Sequence, residues 1–253
     1  MELANNTIFI TGGTSGIGRG LAEAFHKRGN KVIIAGRRKA LLQAVAEANP
    51  GIDTIELDIT SADDIARVAR TLIETYPTLN VVINNAGVMP FDNAAGALDD
   101  EQAVNLIDTN LLGPVRLSAA FAEHLKRQPR AYLINNSSVL AYVPLAATAL
   151  YSATKAAIHS YTLSQRFMFR DTSVRVLEIA PPWVDTDLVH KSGDPRAMPL
   201  DAFIAETMDK LADATDEVLV DAARPLRDNA GPNEHTLVHQ FNVALAENPI
   251  PVL

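Results

Sequence analysis

Residues 7–18 read TIFITGGTSGIG, an apolar run that leads directly into a glycine-rich turn. The run predicts a buried strand over residues 7–11, and the pattern that begins at Ile17 predicts a helix. Glycines let the backbone turn tightly, and the start of a helix offers free N–H groups and a positive dipole end to an anion. The stretch therefore predicts a phosphate-binding strand–turn–helix unit. A tight connection without a ligand is the alternative.

The same alternation of short apolar runs and longer helical stretches continues to residue 179. Further strands are predicted over residues 31–35, 54–57, 81–84, 131–135 and 174–179, and helices over 17–28, 39–48, 62–75, 100–127 and 151–170. Parallel βαβ units of this kind predict an α/β fold, a doubly wound parallel sheet with a ligand crevice at the carboxyl ends of its strands.

Beyond residue 179 the pattern changes to a proline-rich loop over 181–199, helical sequence over 200–228, and a tail that reaches residue 253. The sequence contains no linker and no repeat. We expect one domain over residues 1–253, in which 181–253 form a variable substrate loop and a C-terminal cap.

Composition limits the classes of partner. The 253 residues are 47% hydrophobic, which suffices for a core without disulfides or structural metal, and cysteine is absent. A net charge of -8, from 22 basic and 30 acidic residues, disfavours binding to nucleic acid or to anionic lipid. A basic leader followed by an apolar stretch is not found, nor is an apolar run of membrane-spanning length. We therefore expect a cytoplasmic protein with small-molecule partners.

Residues 34–38, which read IAGRR, follow the second predicted strand, where dinucleotide-binding folds select their cofactor. An acidic residue there binds the ribose 2′-hydroxyl of NAD, whereas an arginine suits the 2′-phosphate of NADP. Gly36 occupies the place of the acid and Arg37 follows it, so NADP is favoured. A solvated basic start of the next helix is the alternative, and it accounts for Arg38 more readily than for Arg37.

Tyr151 and Lys155 are four residues apart in a predicted helix, and therefore lie on one face. A tyrosine pKa of about 10 is too high for efficient proton transfer at neutral pH, and a nearby ammonium lowers it. The spacing predicts a tyrosine that exchanges a proton with a carbonyl or alcohol oxygen. A partly buried ring beside a solvated amine is the alternative.

These motifs resemble those of the short-chain dehydrogenase/reductase family over residues 7–188. The matching positions are the TGxxxGxG of Thr11, Gly12, Gly16 and Gly18, the NNAG of residues 84–87, and the YxxxK of Tyr151 and Lys155. Residues 181–188, PPWVDTDL, are similar to a DltE-like group of the family, although Pro182 stands where a glycine is usual. The resemblance implies a Rossmann fold and an NADPH-dependent reductase that converts an aldehyde or ketone into an alcohol.

The resemblance also implies roles for four catalytic residues. Ser138 lies at the family's spacing from the tyrosine and would stabilise the substrate oxygen. Ser137 is the less favoured choice, as a turn residue at the strand end. Asn110 would organise a water chain to Lys155. Lys155 would bind the nicotinamide ribose and lower the pKa of Tyr151. Proton transfer would then run from solvent through that water, Lys155, the ribose hydroxyl and Tyr151 to the substrate.

The resemblance and the glycine-rich turn together assign a set of residues to the cofactor. Asp58 would contact the adenine edge, the backbone of residues 84–87 would lie near the adenosine ribose, and Thr186 would hold the carboxamide. The set is Gly12, Thr14, Ser15, Gly16, Ile17, Gly18, Arg37, Asp58, Ile59, Asn85, Ala86, Gly87, Tyr151, Lys155, Pro181, Val184 and Thr186.

Two other functions remain as alternatives. A catalytically silent NADP-binding sensor or regulator would keep the fold, but the intact Ser138, Tyr151 and Lys155 argue against it. A sugar-nucleotide epimerase or dehydratase of the extended branch usually needs a longer C-terminal domain than the residues after 179 supply.

Oligomeric state is predicted from the helices and from the tail. The helices around residues 111–122 and 158–169 carry more apolar residues than one buried face requires, which predicts a homodimer. A tetramer is the alternative, although residues 232–253 lack the apolar strand that completes a seventh strand in most members.

The remaining candidates concern the substrate and metals. Several apolar residues lie in loops that are expected to cover the crevice and to form an apolar substrate pocket. Ordinary packing of hydrophobic side chains is the alternative. These residues are Met89, Phe91, Tyr142, Val143, Trp183 and Met198. His190 is expected to face the substrate, and His159 is expected to pack against neighbouring side chains. His235 and His239 lack a third ligand, so they are interpreted as solvated or capping residues and no metal is assigned.

Overall fold

A parallel sheet of seven strands forms the centre of a computed structural model that describes residues 1–189, 191–228, 231 and 233–249. The strands are β1 (Thr7–Thr11), β2 (Lys31–Gly36), β3 (Ile52–Glu56), β4 (Leu79–Asn84), β5 (Ala131–Asn136), β6 (Val174–Ile179) and β7 (Glu217–Val218). Their order across the sheet is β3-β2-β1-β4-β5-β6-β7, and every pairing is parallel. The doubly wound α/β fold predicted from the sequence is confirmed.

The strand order places a crevice between β1 and β4. From β1 the chain builds outward to β3, and it then returns to the other side of β1 to begin β4. The connections that follow β1 and β4 therefore leave in opposite directions, which opens a crevice at their carboxyl ends. The motif-bearing segments after β1, β2, β4, β5 and β6 all reach this edge.

Helices cover both faces of the sheet. They are α1 (Gly16–His26), α2 (Lys39–Ala48), α3 (Ala62–Thr75), α4 (Asp100–Ile107), α5 (Gly113–Lys126), α6 (Ala149–Phe169), α7 (Leu200–Asp213), α8 (Arg224–Arg227) and α9 (Glu234–Glu247). Within the described ranges, none of the helices combines the length and the apolar character that crossing a bilayer would require.

Successive side chains of β1 serve two hydrophobic cores. Ile8 and Ile10 belong to the core that also contains residues of α1 and α7. Phe9 points to the opposite core, where its ring centroid lies 5.7 Å from that of Phe121 on α5. Because both faces are covered, all of β1 is buried, which explains its uninterrupted apolar sequence.

The prediction of one continuous helix over residues 100–127 is wrong. The segment forms two α-helices, α4 and α5, which are joined by a π-helical turn over Asp108–Leu112. Pro114 has no N–H to donate to the carbonyl of Asn110, four residues earlier, so regular α-helical bonding cannot continue there. The Gly113 N–H bonds instead to the carbonyl of Asp108. Such turns are frequent at functional sites.

The prediction for the C-terminal region is wrong in two respects. The helix predicted over residues 200–228 is interrupted after α7 by β7, which pairs Glu217 with Glu178 and Val218 with Ile179. A seventh strand is therefore present, although it lies before residues 232–253, which lack the apolar strand found in most members of the family. The tail itself contains α9, which was not predicted.

Candidate functional site

The glycine-rich turn after β1 lies directly against the segment that follows β4. Gly12 has φ +68°, and a Cβ atom there would lie 2.9 Å from the Ala86 Cα, so a side chain would force the two segments apart. Ser15 precedes α1 and makes no side-chain capping hydrogen bond. The first N–H groups of α1 therefore face the crevice without a side-chain acceptor, an arrangement that suits an anion.

Asn85 ties the ends of three strands together. Its Nδ2 donates to the Thr11 carbonyl at 3.0 Å, and its Oδ1 accepts from Asn136 Nδ2 at 2.8 Å. The Thr11 hydroxyl accepts from the backbone N–H groups of Asn85 and Ala86, each at 3.1 Å. The Asn85 side chain thus fixes β1, β4 and β5 to one another and leaves the backbone of residues 85–87 to line the crevice.

The end of β2 carries two arginines, and only one of them was expected at the site. Arg37 lines the crevice as predicted. Arg38, interpreted from sequence as a solvated start of α2, instead donates to Thr14 Oγ1 at 3.1 Å and to Ser15 Oγ at 3.4 Å. A Cβ at Gly36 would lie 3.2 Å from Thr14 Cγ2, so the acidic residue that reads an NAD ribose would be crowded here. Gly36 and both arginines line the same cavity.

Asp58 stands apart from the other residues predicted to bind the cofactor. It does not line the crevice, whereas its neighbours Leu57 and Ile59 do. Its Oδ1 accepts from the Thr60 N–H at 3.0 Å and from the Thr60 hydroxyl at 2.8 Å. These bonds, and the positive charge of Arg37, hold the pKa of the Asp58 carboxyl below its usual range.

One cavity of about 540 Å³ connects the glycine-rich turn with the predicted catalytic residues. Every residue predicted to bind the cofactor lines this cavity except Asp58, and so does Ser138. At the other end of the glycine-rich turn, Thr186 lies over Gly16, whose Cβ would approach the Thr186 Cβ to 3.3 Å. The loop after β6 therefore closes onto the start of α1.

Helix α6 carries Tyr151 and Lys155 into the cavity wall. Its first turn is capped by Asp92, a residue of the loop after β4, whose carboxylate accepts from the N–H groups of Ala149 at 2.9 Å and Leu150 at 2.7 Å. A negative charge at a helix N-terminus is stabilising, so Asp92 fixes the end of α6 that bears the tyrosine. This residue was not predicted from the sequence, because the contact joins segments more than fifty residues apart.

Tyr151 and Lys155 are almost fully buried, at 5% and 6% exposure. Lys155 Nζ lies 5.5 Å from the centroid of the Tyr151 ring and donates to the carbonyl of Asn136, at the end of β5, at 2.9 Å. Ser138 follows two residues later and its Oγ accepts from the Leu140 N–H at 3.1 Å. The structure thus brings Ser138, Tyr151 and Lys155 to one wall.

The electrostatics of this wall differ from the expectation that Lys155 lowers the pKa of Tyr151. Burial raises the pKa of the Tyr151 hydroxyl above its ordinary value, and a hydrogen bond with Ser138 opposes that rise. Burial also lowers the pKa of Lys155 to about 8, while the carboxylate of Glu178 acts in the opposite direction. Desolvation of the charged form is the largest cause of both shifts. At neutral pH the Tyr151 hydroxyl therefore keeps its proton.

Asn110 lies beneath the cavity, in the π-helical turn. Its side chain is occupied by the backbone of Val88: Oδ1 accepts from the N–H at 2.9 Å, and Nδ2 donates to the carbonyl at 2.8 Å. Its backbone carbonyl is the one that Pro114 deprives of the usual helical donor. A water held by Asn110 would therefore bind this carbonyl rather than the side-chain amide.

The cavity roof is only partly the one predicted. Met89 and Trp183 line it, whereas Phe91, Tyr142, Val143 and Met198 do not. Their place is taken by residues of α8 and α9, namely Leu226, Phe241 and Leu245. Asn242 anchors α9, since its Nδ2 donates to the Pro144 carbonyl at 3.0 Å. Phe241 and Leu245 are four residues apart, which is the signal that would have indicated a helix face.

The histidines have separate environments. His235 and His239 are exposed on α9, and His190 lies outside the described residues. His159 packs edge-on against Tyr142, with ring centroids 4.9 Å apart, as expected. Its Nδ1 also lies 2.8 Å from the Glu178 carboxylate, a contact that the sequence did not indicate.

Comparison with known proteins gives a consistent assignment. The family model described as short chain dehydrogenase matches residues 6–197. The chain is similar to the uncharacterized oxidoreductase DltE of Bacillus subtilis, with 38% identity over 96% of this chain and 98% of the relative. It is also similar to an uncharacterized oxidoreductase of Myxococcus xanthus, with 36% identity over 82% of this chain and 81% of the relative.

Among solved structures, a short chain dehydrogenase from Burkholderia cenocepacia in complex with NADP superposes with a TM-score of 0.84. Its sequence identity is 27%, and the match covers 96% of this chain and 99% of that one.

Proposed function

Because the chain belongs to the short-chain dehydrogenase/reductase family of oxidoreductases, within its DltE-like group, we propose that it is an NADPH-dependent reductase of neutral, apolar aldehydes or ketones. The observation that carries this proposal is the convergence of Ser138, Tyr151 and Lys155 on one wall of the cavity that begins at the glycine-rich turn.

The residues of the cavity fit a nicotinamide dinucleotide. Gly12 keeps the turn open for a pyrophosphate, and the start of α1 offers it unpaired N–H groups. Arg37 and Arg38 supply positive charge for a 2′-phosphate where Gly36 excludes an acidic competitor. The Burkholderia structure, whose match covers 96% of this chain, contains NADP, which supports the proposal that NADP is the cofactor here.

The hydroxyls of Tyr151 and Ser138 act together on the substrate oxygen. Tyr151 is protonated at neutral pH, and it donates this proton as negative charge develops on the carbonyl oxygen. Ser138 donates a second hydrogen bond to that oxygen and stabilises it. Bound NADPH supplies the hydride for the carbonyl carbon. The product is the alcohol.

Lys155 and Asn110 restore the proton that Tyr151 gives up. The Lys155 ammonium is held by the Asn136 carbonyl and is placed to bind the nicotinamide ribose and to stabilise the tyrosinate formed by donation. Water at the Asn110 carbonyl would pass a proton to Lys155 from solvent. The side chain of Asn110 positions this carbonyl through its two bonds to Val88.

The substrate class follows from the lining of the cavity beyond Tyr151. Its side chains are mainly apolar and include Met89, Leu140, Leu145, Trp183, Leu188, Leu226, Phe241 and Leu245. Among the described residues that line the cavity, the positive side chains are Arg37, Arg38 and Lys155, all assigned to the cofactor, and the acidic one is Asp187. A carboxylate or phosphate on the substrate would therefore lack a cationic partner among these residues. An apolar carbonyl compound would instead make favourable contacts with the apolar side chains.

The proposal is tested by oxidation of NADPH across a panel of carbonyl compounds of matched size. Medium-length apolar aldehydes and ketones should be reduced, and keto acids and sugar phosphates should be poor substrates. Binding of NADPH without turnover on any carbonyl would instead identify a nucleotide sensor.

We also propose how the remaining parts of the chain are organised. Residues 1–253 would form one domain whose C-terminal part, from residue 181, serves as substrate loop and cap. The surface of α6 carries exposed apolar side chains, with Phe167 at 62% and Met168 at 73% exposure, and would form a homodimer contact.

A further inference from the structure

A buried carboxylate lies immediately behind the wall that carries Ser138 and Lys155. Glu178, the penultimate residue of β6, has 0% exposure. Its side chain accepts hydrogen bonds from the Ser137 hydroxyl and, at 3.3 Å, from the Tyr142 hydroxyl. His159 Nδ1 lies 2.8 Å from Oε2. A carboxylate removed from water requires such partners, because burial without them is strongly unfavourable.

The partners of Glu178 belong to the elements that form the catalytic wall. Ser137 lies between Asn136, whose carbonyl accepts from Lys155 Nζ, and Ser138. His159 is one turn after Lys155 on α6. A single carboxylate therefore holds the end of β5 and the middle of α6 at a fixed separation.

We propose that Glu178 is a positioning residue, which holds the Ser137–Ser138 strand end against α6 so that the hydroxyls of Ser138 and Tyr151 face the same reacting oxygen. The proposal rests on the proposed reductase function, and it adds a buried acid to the residues on which that reaction depends.

The arrangement also has an electrostatic consequence. Around Glu178 lie Tyr142, His159 and Lys155, and the carboxylate of Glu217, which binds Arg227, is within 4.8 Å of it. Arg227 is held by Glu217 through two bonds, of 3.0 and 2.9 Å. Burial raises the pKa of Tyr142, so this hydroxyl remains a donor to Glu178. The Glu178 charge therefore acts on Lys155 and raises its pKa against the effect of burial.

Three variants separate these effects. Glu178→Gln keeps the shape and removes the charge, and Ser137→Ala removes one bond and keeps the charge. Glu217→Gln makes the first change at the neighbouring carboxylate, which is bonded to Arg227. Turnover is measured with a carbonyl that the wild type reduces, together with NADPH affinity. The pH at which Lys155 becomes reactive towards an acylating reagent is followed separately by mass spectrometry.

We expect Glu178→Gln and Ser137→Ala to lower kcat about tenfold or more, since small displacements of reacting groups have large effects, with NADPH affinity within about twofold of the wild type. Only Glu178→Gln should move the Lys155 reactivity to lower pH, and Glu217→Gln should resemble the wild type. If Glu178→Gln does not fold, the kcat of Ser137→Ala decides the matter.

Unchanged kcat in Ser137→Ala and Glu178→Gln, beside an active wild type, would overturn the positioning role and leave the reductase proposal intact. A wild type that reduces no carbonyl would refute the reductase instead. Lys155 reactivity then becomes the deciding readout for Glu178, and equal pH midpoints in all proteins would overturn its role.

Discussion

Replacement of Arg37 by alanine should convert a preference for NADPH into near indifference between the two nicotinamide cofactors. Arg37 lines the cavity next to Gly36, which stands where an acidic residue would bind a ribose hydroxyl. A charge-assisted hydrogen bond contributes about 1.5–3 kcal/mol. Because Arg37 is exposed, water and salt reduce this value, so we take the lower end, which corresponds to roughly tenfold in affinity.

A second effect acts in the same direction. The hydrogen bonds from Thr60 lower the pKa of Asp58 more than the charge of Arg37 does, so the Asp58 carboxylate remains negative when Arg37 is removed. It would then repel a 2′-phosphate without affecting an unphosphorylated ribose. The Kd for NADPH should therefore rise roughly tenfold or more, and that for NADH should change by less than about twofold.

The assay is a fluorescence titration of both cofactors at low and high ionic strength. Lys39→Ala provides the matched control, since Lys39 is a neighbouring exposed cation that does not line the cavity. The loss in Arg37→Ala should shrink as salt is added, because screening weakens an exposed charge pair. Equal weakening of NADPH and NADH, or no change in their ratio, would refute the assignment of Arg37 to the 2′-phosphate.

Three further predictions concern proton transfer, the substrate and assembly. Because the pKa of Lys155 is about 8, kcat/KM for carbonyl reduction should be maintained below that pH and fall as the ammonium is lost above it; a profile that stays flat well beyond this pH would contradict the role of Lys155. Phe241→Ala should raise KM for long apolar carbonyls about tenfold, whereas Val243→Ala, on the exposed side of α9, should not, and equal effects would exclude α9 from the substrate site. Phe167→Glu should halve the mass measured by sedimentation, and a wild-type monomer would contradict the dimer.

The features predicted correctly from sequence are those that depend on short spacings. The six longer strands follow from apolar runs such as that of β1, and the glycine-rich turn follows from a fixed pattern of residues. Tyr151 and Lys155 are four positions apart on one helix, so local geometry alone places them together. Such features can be predicted from sequence because they do not depend on where distant segments of the chain pack.

Features that depend on contacts between distant segments were missed. Asp92 caps α6 from another loop, and Glu178 meets Ser137 across two strands. The raised pKa of Tyr151 follows from the depth of its burial, which spacing does not reveal. The two-residue β7 is too short to produce a periodic pattern, and it forms because β6 offers it a free edge.

The central claim is that the Tyr151 hydroxyl donates the proton that completes reduction. The most direct test is a single-turnover measurement of NADPH oxidation by Tyr151→Phe with an apolar aldehyde, beside a titration of NADPH binding. This substitution removes one oxygen and keeps the ring. We predict that NADPH binds with a Kd within about twofold of the wild type while the carbonyl-dependent rate falls by a factor of about 100 or more. A rate close to that of the wild type would contradict the account.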